Sequence, residues 1–230
     1  DRNTMETLEP LGRELSTFGL TDRADVYARN LRRVGAASEF DIYCHGRFFT
    51  SVTLHVPGIH NVKNALAATA ACICLGVRPN AVKYGLAGFN GAGRRFEFKG
   101  KYNGADVYDD YAHHPGELQA LLDAVEPLGY KRTILVFQPH TYSRTAALFE
   151  DFIEQLCRPD VTYLAEIYAA RETNTFGISS ADLARQIPGS LFFDSFEEIE
   201  NSLRATARPG DVILTVGAGN VYKIGEDIVE

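Results

Sequence analysis

The stretch Asp109-Asp110-Tyr111-Ala112-His113-His114-Pro115 links a β-rich run to a helix and decides the fold of the second half of the chain. The run before it, Phe96–Tyr108, has the composition of a strand hairpin that turns at Asn103-Gly104. The residues after it predict a helix over 115–126, with Pro115 at the first helical position. The apolar face of that helix consists of Leu118, Leu121, Leu122 and Val125. Strand-to-helix turns of this kind are where α/β proteins bind ligands, and the exposed N–H groups of the helix start favour an anion.

Strands continue to alternate with amphipathic helices up to the end of the chain. The predicted strands cover residues 133–137, 161–164, 190–193 and 212–216. The predicted helices cover residues 144–156, 180–187, 195–206 and 219–229. Ser195 and Glu198 predict a capping box at the start of the third of these helices. The alternation indicates a doubly wound, mostly parallel, Rossmann-like α/β sheet.

The first part of the chain has a different pattern. It predicts a helix over 4–15, and then short β runs at 16–20, 26–30, 40–44 and 48–56. With a hairpin turn at His45-Gly46-Arg47, these runs indicate an antiparallel β-meander, which is followed by helices over 61–75 and 80–86. The three glycines of the segment Gly88–Gly93 then indicate a linker. We therefore divide the chain into domains of residues 1–91 and 92–230.

The composition argues against several classes of protein. A formal net charge of -7 over 230 residues argues against a nucleic-acid surface, for which a basic surplus is expected. No apolar run approaches the ~18 residues that a membrane span needs. The four cysteines form no C-x-x-C pair, which suggests reduced, mostly packed thiols in a cytoplasmic protein. Because the chain begins with Asp1 rather than methionine, we expect it to be part of a longer protein.

Two turns of the predicted sheet carry the chemically active side chains. Asp109–Pro115 and Phe137–Thr145 each follow a strand, and the carboxyl ends of parallel strands meet at one edge. The two turns offer Asp110, His113, His114, His140 and Arg144. Arginine and histidine suit a phosphate or carboxylate, which favours an anion-binding cleft.

Two alternatives stay open for these turns. In the first, Asp109 and Asp110 only cap local backbone groups and the histidines are ordinary turn residues. In the second, the protein is a metal-dependent hydrolase whose ion is bound by Asp109, Asp110, His113 and His140. Neighbouring side chains at a helix start diverge, so we expect no tight metal site from His113 and His114.

Three further motifs each have a functional and a structural interpretation. Asn61 and Asn64 share one helix face and suit the edge of an adenine ring, or Asn61 is simply an N-cap. Arg94-Arg95 suits a phosphate at a domain hinge, or it is a solvated surface pair. Val216-Gly217-Ala218-Gly219-Asn220 resembles the start of a dinucleotide fingerprint, or it reflects close strand–helix packing.

The motifs occur in the order seen in the Mur ligase family, which the chain resembles over nearly its whole length. They are His60-Asn61-x-x-Asn64-Ala65-Leu66-Ala67-Ala68, Gly93-Arg94-Arg95-Phe96, Asp109–Pro115 and Phe137-Gln138-Pro139-His140. The resemblance is to the members that join L-alanine to UDP-N-acetylmuramate in peptidoglycan synthesis, with a murein tripeptide recycling ligase as the related alternative. It implies an amide-bond-forming enzyme that uses ATP and Mg2+ and works through an acyl phosphate.

The resemblance also implies roles for individual residues. The implied nucleotide contacts are Asn61 and Asn64 with adenine, Arg95 with the ATP phosphates across the hinge, and Asp110 with the ribose or the hinge-side nucleotide. The implied catalytic residues are His113 and Arg144, which would orient L-alanine and the acyl phosphate, and Tyr111 and His140, which would support them. No metal ligand is assigned in this sequence. Thr141 stands where some relatives have arginine, and its role is left open.

The sequence lacks part of that family's plan. It contains no G-x-x-x-x-G-K-[ST] phosphate loop, no UDP-binding domain and no central-domain magnesium ligands. The resemblance therefore implies that residues 1–91 end the ATP-binding central domain and that residues 92–230 form the amino-acid-binding C-terminal domain. We expect such a fragment to be inactive alone and to need the missing segments of the same enzyme, besides UDP-N-acetylmuramate, L-alanine and ATP. The alternative from another class is a non-catalytic module that binds a nucleotide or an amino acid.

Overall fold

The computed structural model describes residues 2–229, apart from the side chains of Arg2 and Glu9. The chain divides into two compact units, Asp1–Asn90 and Gly91–Glu230. Each unit has its own hydrophobic core. None of the described helices has the length and apolar character needed to cross a membrane.

The first unit is a small sheet covered by helices. Its elements are α1 (Arg2–Leu8), a 3-10 turn (Glu9–Leu11), β1 (Phe18–Gly19), β2 (Val26–Val34), β3 (Ala37–Cys44), β4 (Arg47–Leu54), α2 (Ile59–Cys74) and α3 (Pro79–Ala87). The strands lie in the order β1-β2-β3-β4, with β2, β3 and β4 antiparallel as predicted and β1 parallel to β2. Along β3, Ser38, Phe40 and Ile42 are buried, which is the alternation of a strand with one face on a core. The small side chains of α2 let it pack closely on this face.

The second unit is the predicted doubly wound sheet. Its strands are β5 (Glu97–Tyr102), β6 (Ala105–Asp110), β7 (Arg132–Phe137), β8 (Val161–Leu164), β9 (Leu191–Phe192) and β10 (Asp211–Val216). Its helices are α4 (Pro115–Val125), α5 (Tyr142–Ala147), α6 (Phe149–Leu156), α7 (Ser180–Gln186), α8 (Phe196–Thr206) and α9 (Tyr222–Ile228). The strand order is β5-β6-β10-β7-β8-β9, and only the β5–β6 hairpin is antiparallel.

Helices cover both faces of this sheet. Side chains of α4, α6 and α7 pack on one face, and side chains of α8 and α9 pack on the other. Every residue of β10 is buried, as expected for the central strand of a sheet covered on both sides. Because β10 lies between β6 and β7, the carboxyl ends of these two strands flank it at one edge.

Several predicted helix boundaries are wrong for identifiable reasons. The helix predicted over 4–15 ends at Leu8, because Pro10 cannot continue it and Gly12 adopts a φ of 57°. The helix predicted over 144–156 is interrupted at Leu148, whose ψ of 27° lets consecutive apolar side chains reach the core. The helix predicted from residue 219 begins at Tyr222, after a turn that contains Gly217 and Gly219.

The predicted capping box and the predicted thiol packing also need correction. Ser195 Oγ accepts a hydrogen bond from Glu198 N, but the Glu198 carboxylate accepts from Asp194 N rather than from Ser195 N. The reciprocal capping box occurs instead at Ser179 and Asp182. All four cysteines are free, but Cys74 and Cys157 are exposed rather than packed.

Candidate functional site

The turns after β6 and β7 bring four of the predicted site residues together. The imidazole rings of His113 and His140 lie 5.7 Å apart, centre to centre. The Tyr111 ring meets the His113 ring edge-on at 5.4 Å, and Arg144 Nη1 lies 3.5 Å from His140 Nδ1. We call these four residues, Tyr111, His113, His140 and Arg144, the imidazole–guanidinium cluster.

The first turn is shaped by its own side chains. His114 Nδ1 accepts a hydrogen bond from Gly116 N and so caps α4, while Pro115 takes the first helical position as predicted. Glu117 reaches back to accept from His113 N at 2.9 Å, which mimics a capping box. His113 Nδ1 lies 2.9 Å from Tyr111 O. His114 therefore serves the backbone, and His113 is the imidazole that faces the second turn.

Asp110 holds the backbone on both sides of the turn. Its Oδ2 accepts from Phe96 N and its Oδ1 accepts from Ala112 N, each at 2.8 Å. Burial raises the pKa of Asp110, and these hydrogen bonds oppose that rise. The structural alternative, in which the aspartates cap local backbone, therefore describes the main contacts of Asp110.

Arg94 is a central residue of this region, with a structural role that neither the phosphate nor the surface-pair interpretation of Arg94-Arg95 predicted. Its Nε donates to Asp109 Oδ2 at 2.9 Å, Nη2 to Gly217 O at 2.6 Å and Nη1 to Gly219 O at 3.1 Å. Burial raises the pKa of Asp109, and Arg94 opposes this rise. A signal did exist, because Asp109 falls on the buried face of alternating β6, and a buried carboxylate needs a partner.

Arg94 also positions one member of the imidazole–guanidinium cluster. Its guanidinium lies between two rings, 4.8 Å from the centre of Tyr111 and 4.7 Å from that of Tyr222. Tyr111 N donates to Arg94 O at 2.7 Å. Arg95, the predicted phosphate contact, is exposed beside the same Tyr111 ring. The two adjacent arginines thus have different surroundings: Arg94 is committed to the fold, and Arg95 remains accessible to solvent.

The second turn contains a strained residue. Thr141 has φ 68° and ψ 142°, a region that β-branched residues rarely occupy. Its N–H donates to Tyr168 O, and its carbonyl accepts from Thr145 N and Thr145 Oγ1. Ser143 donates through N and Oγ to the Glu172 carboxylate, at 2.9 and 2.5 Å. The turn is thus held in place by the segment that follows β8.

The glycine turn after β10 joins the two turns. Gly217 N donates to Asp110 O, and Asn220 N donates to Gln138 Oε1. A Cβ at Gly217 would lie 2.7 Å from Gln138 O, and one at Gly219 would lie 2.3 Å from Gln138 Oε1. The glycines are therefore required for close approach to the chain after β7. The predicted strand–helix packing accounts for part of this, since a Cβ at Gly217 would also lie 3.2 Å from Val221 Cγ1 at the start of α9.

The electrostatics of the imidazole–guanidinium cluster favour an anion. Among the residues that the structure describes, Arg144 forms no ion pair, although it is half-buried. Burial lowers the pKa of His140, and the charges of Arg144 and His113 lower it further. A neutral imidazole beside an unpaired guanidinium can donate or accept a proton, while arginine supplies a fixed fork for carboxylate or phosphate.

The amide pair of the first unit lies on α2. Gly58, with φ 94°, is the N-cap, so the prediction of Asn61 as N-cap is wrong. Asn61 Nδ2 donates to Pro57 O at 2.7 Å, and Asn64 Nδ2 lies 3.3 Å from Asn61 Oδ1. Asn64 is exposed, which leaves its own carbonyl oxygen free to accept a further hydrogen bond.

Within residues 2–229, no group of three or more His, Cys, Asp or Glu side chains is arranged to hold a metal ion. Asp109, one of the four residues of the metal alternative, is paired with Arg94 and with Thr215 Oγ1. Asp110, another, is engaged with backbone N–H groups. These contacts give no support to the metal-dependent hydrolase.

Comparison with known proteins points in one direction. Residues 94–219 match the family described as Mur ligase, glutamate ligase domain. The chain is 45% identical over 230 residues to the UDP-N-acetylmuramate--L-alanine ligase of Agathobacter rectalis, covering 98% of this chain and 50% of the relative. It is 41% identical over 236 residues to the enzyme of the same name from Caldanaerobacter subterraneus, covering 100% of this chain and 51% of the relative. The chain thus spans about half the length of the curated relatives it matches.

Solved structures share the fold. The UDP-N-acetylmuramate-alanine ligase of Thermotoga maritima matches with a TM-score of 0.76 and 25% identity, over 93% of this chain and 46% of that one. MurF from Acinetobacter baumannii matches with a TM-score of 0.76 and 18% identity, over 98% of this chain and 49% of that one. The second likeness concerns the fold alone.

Proposed function

This chain belongs to the Mur ligase family, and we propose that it is the latter half of a ligase that joins L-alanine to UDP-N-acetylmuramate in peptidoglycan synthesis. The alignments with the relatives that carry this name cover 98% and 100% of the chain at 45% and 41% identity, which supports the choice of substrate. The observation that carries the proposal is the imidazole–guanidinium cluster. It presents an arginine without a carboxylate partner among the described residues, at the edge where doubly wound sheets bind ligands.

In this proposal, residues 92–230 form the amino-acid-binding C-terminal domain, and residues 1–91 form the end of the ATP-binding central domain. The remaining parts of the same enzyme, with the phosphate loop that this sequence lacks, are then the necessary partners. No nucleic acid or membrane span enters the proposal.

The chemistry has two steps. ATP transfers its terminal phosphoryl group to the muramoyl carboxylate, which gives an acyl phosphate and ADP. The alanine amine then attacks the acyl carbon, so that a C–N bond forms and inorganic phosphate leaves. Such transfers depend on positioning and on stabilisation of developing negative charge. Arg144 would bind the alanine carboxylate or the acyl phosphate, with His113 beside it and with Tyr111 and His140 as supports.

The residues proposed to bind ATP suit the nucleotide. The exposed Asn64 amide, oriented by its contact with Asn61, can read the edge of adenine, and the exposed Arg95 can bind phosphate. The proposed contact of Asp110 with the nucleotide has to use the lone pairs left over from its two backbone contacts. Mg2+ is implied by the family, but the described residues offer no group to hold it, and no step is derived through it.

The test uses the complete enzyme that contains this chain and the variant Arg144→Ala. We expect the KM for L-alanine to rise roughly 30–150-fold, because charge-assisted hydrogen bonds contribute about 2–3 kcal/mol. The KM for ATP should stay within a factor of about two, and Arg185→Ala, which removes an exposed surface arginine, should change neither constant. An equal loss for alanine and ATP would show that Arg144 is structural.

A second measurement concerns the 230-residue chain alone. Because its sequence has no phosphate loop, we expect no phosphate release when ATP, UDP-N-acetylmuramate and L-alanine are supplied together. Release that requires all three compounds would contradict the assignment of the chain as half of the ligase.

A further inference from the structure

Glu172 lies outside both turns, yet its carboxylate holds the second one. Its Oε2 accepts from Ser143 N at 2.9 Å, and its Oε1 accepts from Ser143 Oγ at 2.5 Å. Ser143 is the second residue of α5, so the carboxylate lies at the start of that helix, where negative charge is favourable. These hydrogen bonds lower the pKa of Glu172, so the group is ionised at neutral pH. Both oxygens are occupied, which argues against a direct role in binding a substrate ammonium group.

The turn that Glu172 holds is a strained one. Thr141 occupies a backbone region with positive φ, and such conformations persist only where the surroundings impose them. The imposing contacts come from one segment: Tyr168 O accepts from Thr141 N, and Glu172 accepts from Ser143. Tyr168 and Glu172 therefore hold the strained backbone of Thr141 in place, Tyr168 at Thr141 itself and Glu172 at Ser143. We call residues 168–172 the clamp.

Arg144 follows Ser143 directly, so the position of Ser143 sets the position of Arg144. The Arg144 guanidinium lies beside His140, which is the residue before Thr141, and the His140 ring stacks on Tyr168 at 5.6 Å. A shift of this turn would therefore move the Arg144 guanidinium and the His140 imidazole together.

We infer that Glu172 is a positioning residue, which fixes the turn Thr141–Ser143 so that Arg144 and His140 are held side by side for the anion of the substrate. The inference rests on the proposed anion-binding role of Arg144. It adds a residue that touches neither substrate nor reacting atoms and acts through Ser143.

Removal of the Glu172 charge and loss of its positioning effect should change the affinity for phosphate in opposite directions, and this makes the inference testable. A negative charge close to the imidazole–guanidinium cluster weakens anion binding, so its removal alone makes phosphate bind more tightly. Loss of positioning has the opposite effect, because the guanidinium is no longer pre-organised for the anion. Glu172→Gln keeps the shape of the side chain and removes its charge, and it can keep both contacts, because its carbonyl oxygen accepts from Ser143 N–H while its NH2 group donates to Ser143 Oγ. Glu172→Ala removes the charge and both contacts.

The experiment titrates inorganic phosphate into the 230-residue chain and follows the imidazole NMR signals of His113 and His140. We expect Glu172→Ala to raise the Kd for phosphate roughly tenfold, whereas Glu172→Gln, which can keep both contacts, should leave the Kd unchanged or slightly lower. The matched control Glu150→Gln removes an exposed charge near the start of α6 and should leave the Kd unchanged or slightly lower. Unchanged or tighter binding by Glu172→Ala would overturn the inference.

Amide hydrogen exchange provides the second readout. In Glu172→Ala, the amides of Ser143 and Thr145 should exchange at least several-fold faster than in the wild-type chain, while those of β10 should not change. Unchanged exchange at Ser143 would overturn the inference. If Glu172→Ala fails to fold, Ser143→Ala serves in its place: of the two contacts with Glu172 it removes only that of Oγ and should raise the Kd by a smaller factor, and an unchanged Kd would again overturn the inference.

Arg144→Ala separates failure of the inference from failure of the proposed function. Phosphate binding that survives in Arg144→Ala would overturn the proposed role of Arg144 and the inference with it. Phosphate binding that is lost in Arg144→Ala but intact in Glu172→Ala would overturn the inference alone.

Discussion

The turns after β6 and β7 occupy equivalent places on the sheet but are built in different ways. In the first turn, Asp110, His114 and Glu117 satisfy nearby backbone N–H groups. In the second, Thr141 takes an unfavourable conformation that the segment after β8 imposes. A turn that carries its own caps is a fixed part of the fold. A turn that needs an outside clamp stores strain, as functional sites often do.

The charges of the two turns differ in the same way. Asp109, which is 1% exposed, is neutralised by Arg94 and adds no net charge to the surface. Arg144 in the second turn has no ion-pair partner among the described residues and remains available. The acidic residues of the first turn therefore maintain structure, and the cation of the second turn is the one left for a ligand.

Arg94→Ala should have the largest effect, because it removes the partner of a buried carboxylate at the first turn. It leaves the buried Asp109 carboxylate unpaired, and loss of one partner of a buried ion pair costs about 3–5 kcal/mol. The measurement is the free energy of unfolding in urea, followed through methyl NMR signals of Val107 and Ile213 in the core of the second unit.

The neighbouring Arg95 provides the control for that prediction. Arg95→Ala removes the same side chain from an exposed position, and its effect on unfolding should stay within about 0.5 kcal/mol. Similar losses in both variants would mean that general charge, rather than the contacts of Arg94, stabilises the first turn.

Gly217→Ala should have the next largest effect, because it pushes the glycine turn away from the second turn. Its Cβ would lie 2.7 Å from Gln138 O, at a residue whose φ is 152°. Overpacking together with an unfavourable φ should lower the free energy of unfolding by about 2–4 kcal/mol.

Gly116→Ala is the matched control in the first turn. A Cβ there has only an ordinary contact of 3.6 Å with His114 Nδ1, and the residue lies in the first turn of α4. We expect no loss, or a gain of up to about 1 kcal/mol from helix propensity. A loss equal to that of Gly217→Ala would show that the first turn is as tightly packed as the second.

The sequence predicts the first turn far better than the second. The alternation of strands and helices places both turns correctly, because periodic patterns report burial. Pro115 also marks the start of α4 correctly. Residue type and spacing were enough to propose that His113, His140 and Arg144 approach one another.

Contacts between distant segments were not predictable in the same way. Arg94 reaches Gly217 across 123 positions, and Glu172 reaches Ser143 across 29. No local pattern encodes such pairs, since they depend on which strands become neighbours. The positive φ of Thr141 was also hidden, because β-branched residues normally indicate extended or helical backbone. The contacts of residues 168–172 with the second turn and the strained backbone of Thr141 are therefore visible only in the structure.

Thr141→Gly should relax the second turn, so we expect it to raise the free energy of unfolding, whereas Arg94→Ala and Gly217→Ala lower it. Relief of a strained φ is worth about 1–3 kcal/mol, and the extra freedom of glycine in the unfolded chain costs about 0.5–1 kcal/mol. We expect the free energy of unfolding of the second unit to rise by about 1 kcal/mol. Thr173→Gly, at an exposed threonine outside the positive-φ region, should instead lower it slightly. A loss in both variants would show that Thr141 is not strained.

The smallest expected effect is a change in the pKa of His140, which reports on the second turn without unfolding it. Burial, Arg144 and His113 lower this pKa, while Glu172 raises it. Arg144→Ala should therefore raise the pKa of His140, and Glu172→Gln should lower it, as measured by an NMR pH titration of the imidazole signals. Shifts of the same sign in both variants would contradict this arrangement of charges.

Because the pKa of His140 is lowered in the native chain, the free energy of unfolding should decrease as the pH falls through the histidine range. When the pH falls through the ordinary histidine value of about 6.5, the unfolded chain takes up a proton at residue 140 before the native chain does. The native state loses stability over that range, and it should lose less in Arg144→Ala, where the two pKa values are closer. The measurement is the free energy of unfolding of both chains in urea across this pH range, and an equal loss in the two chains would contradict the prediction.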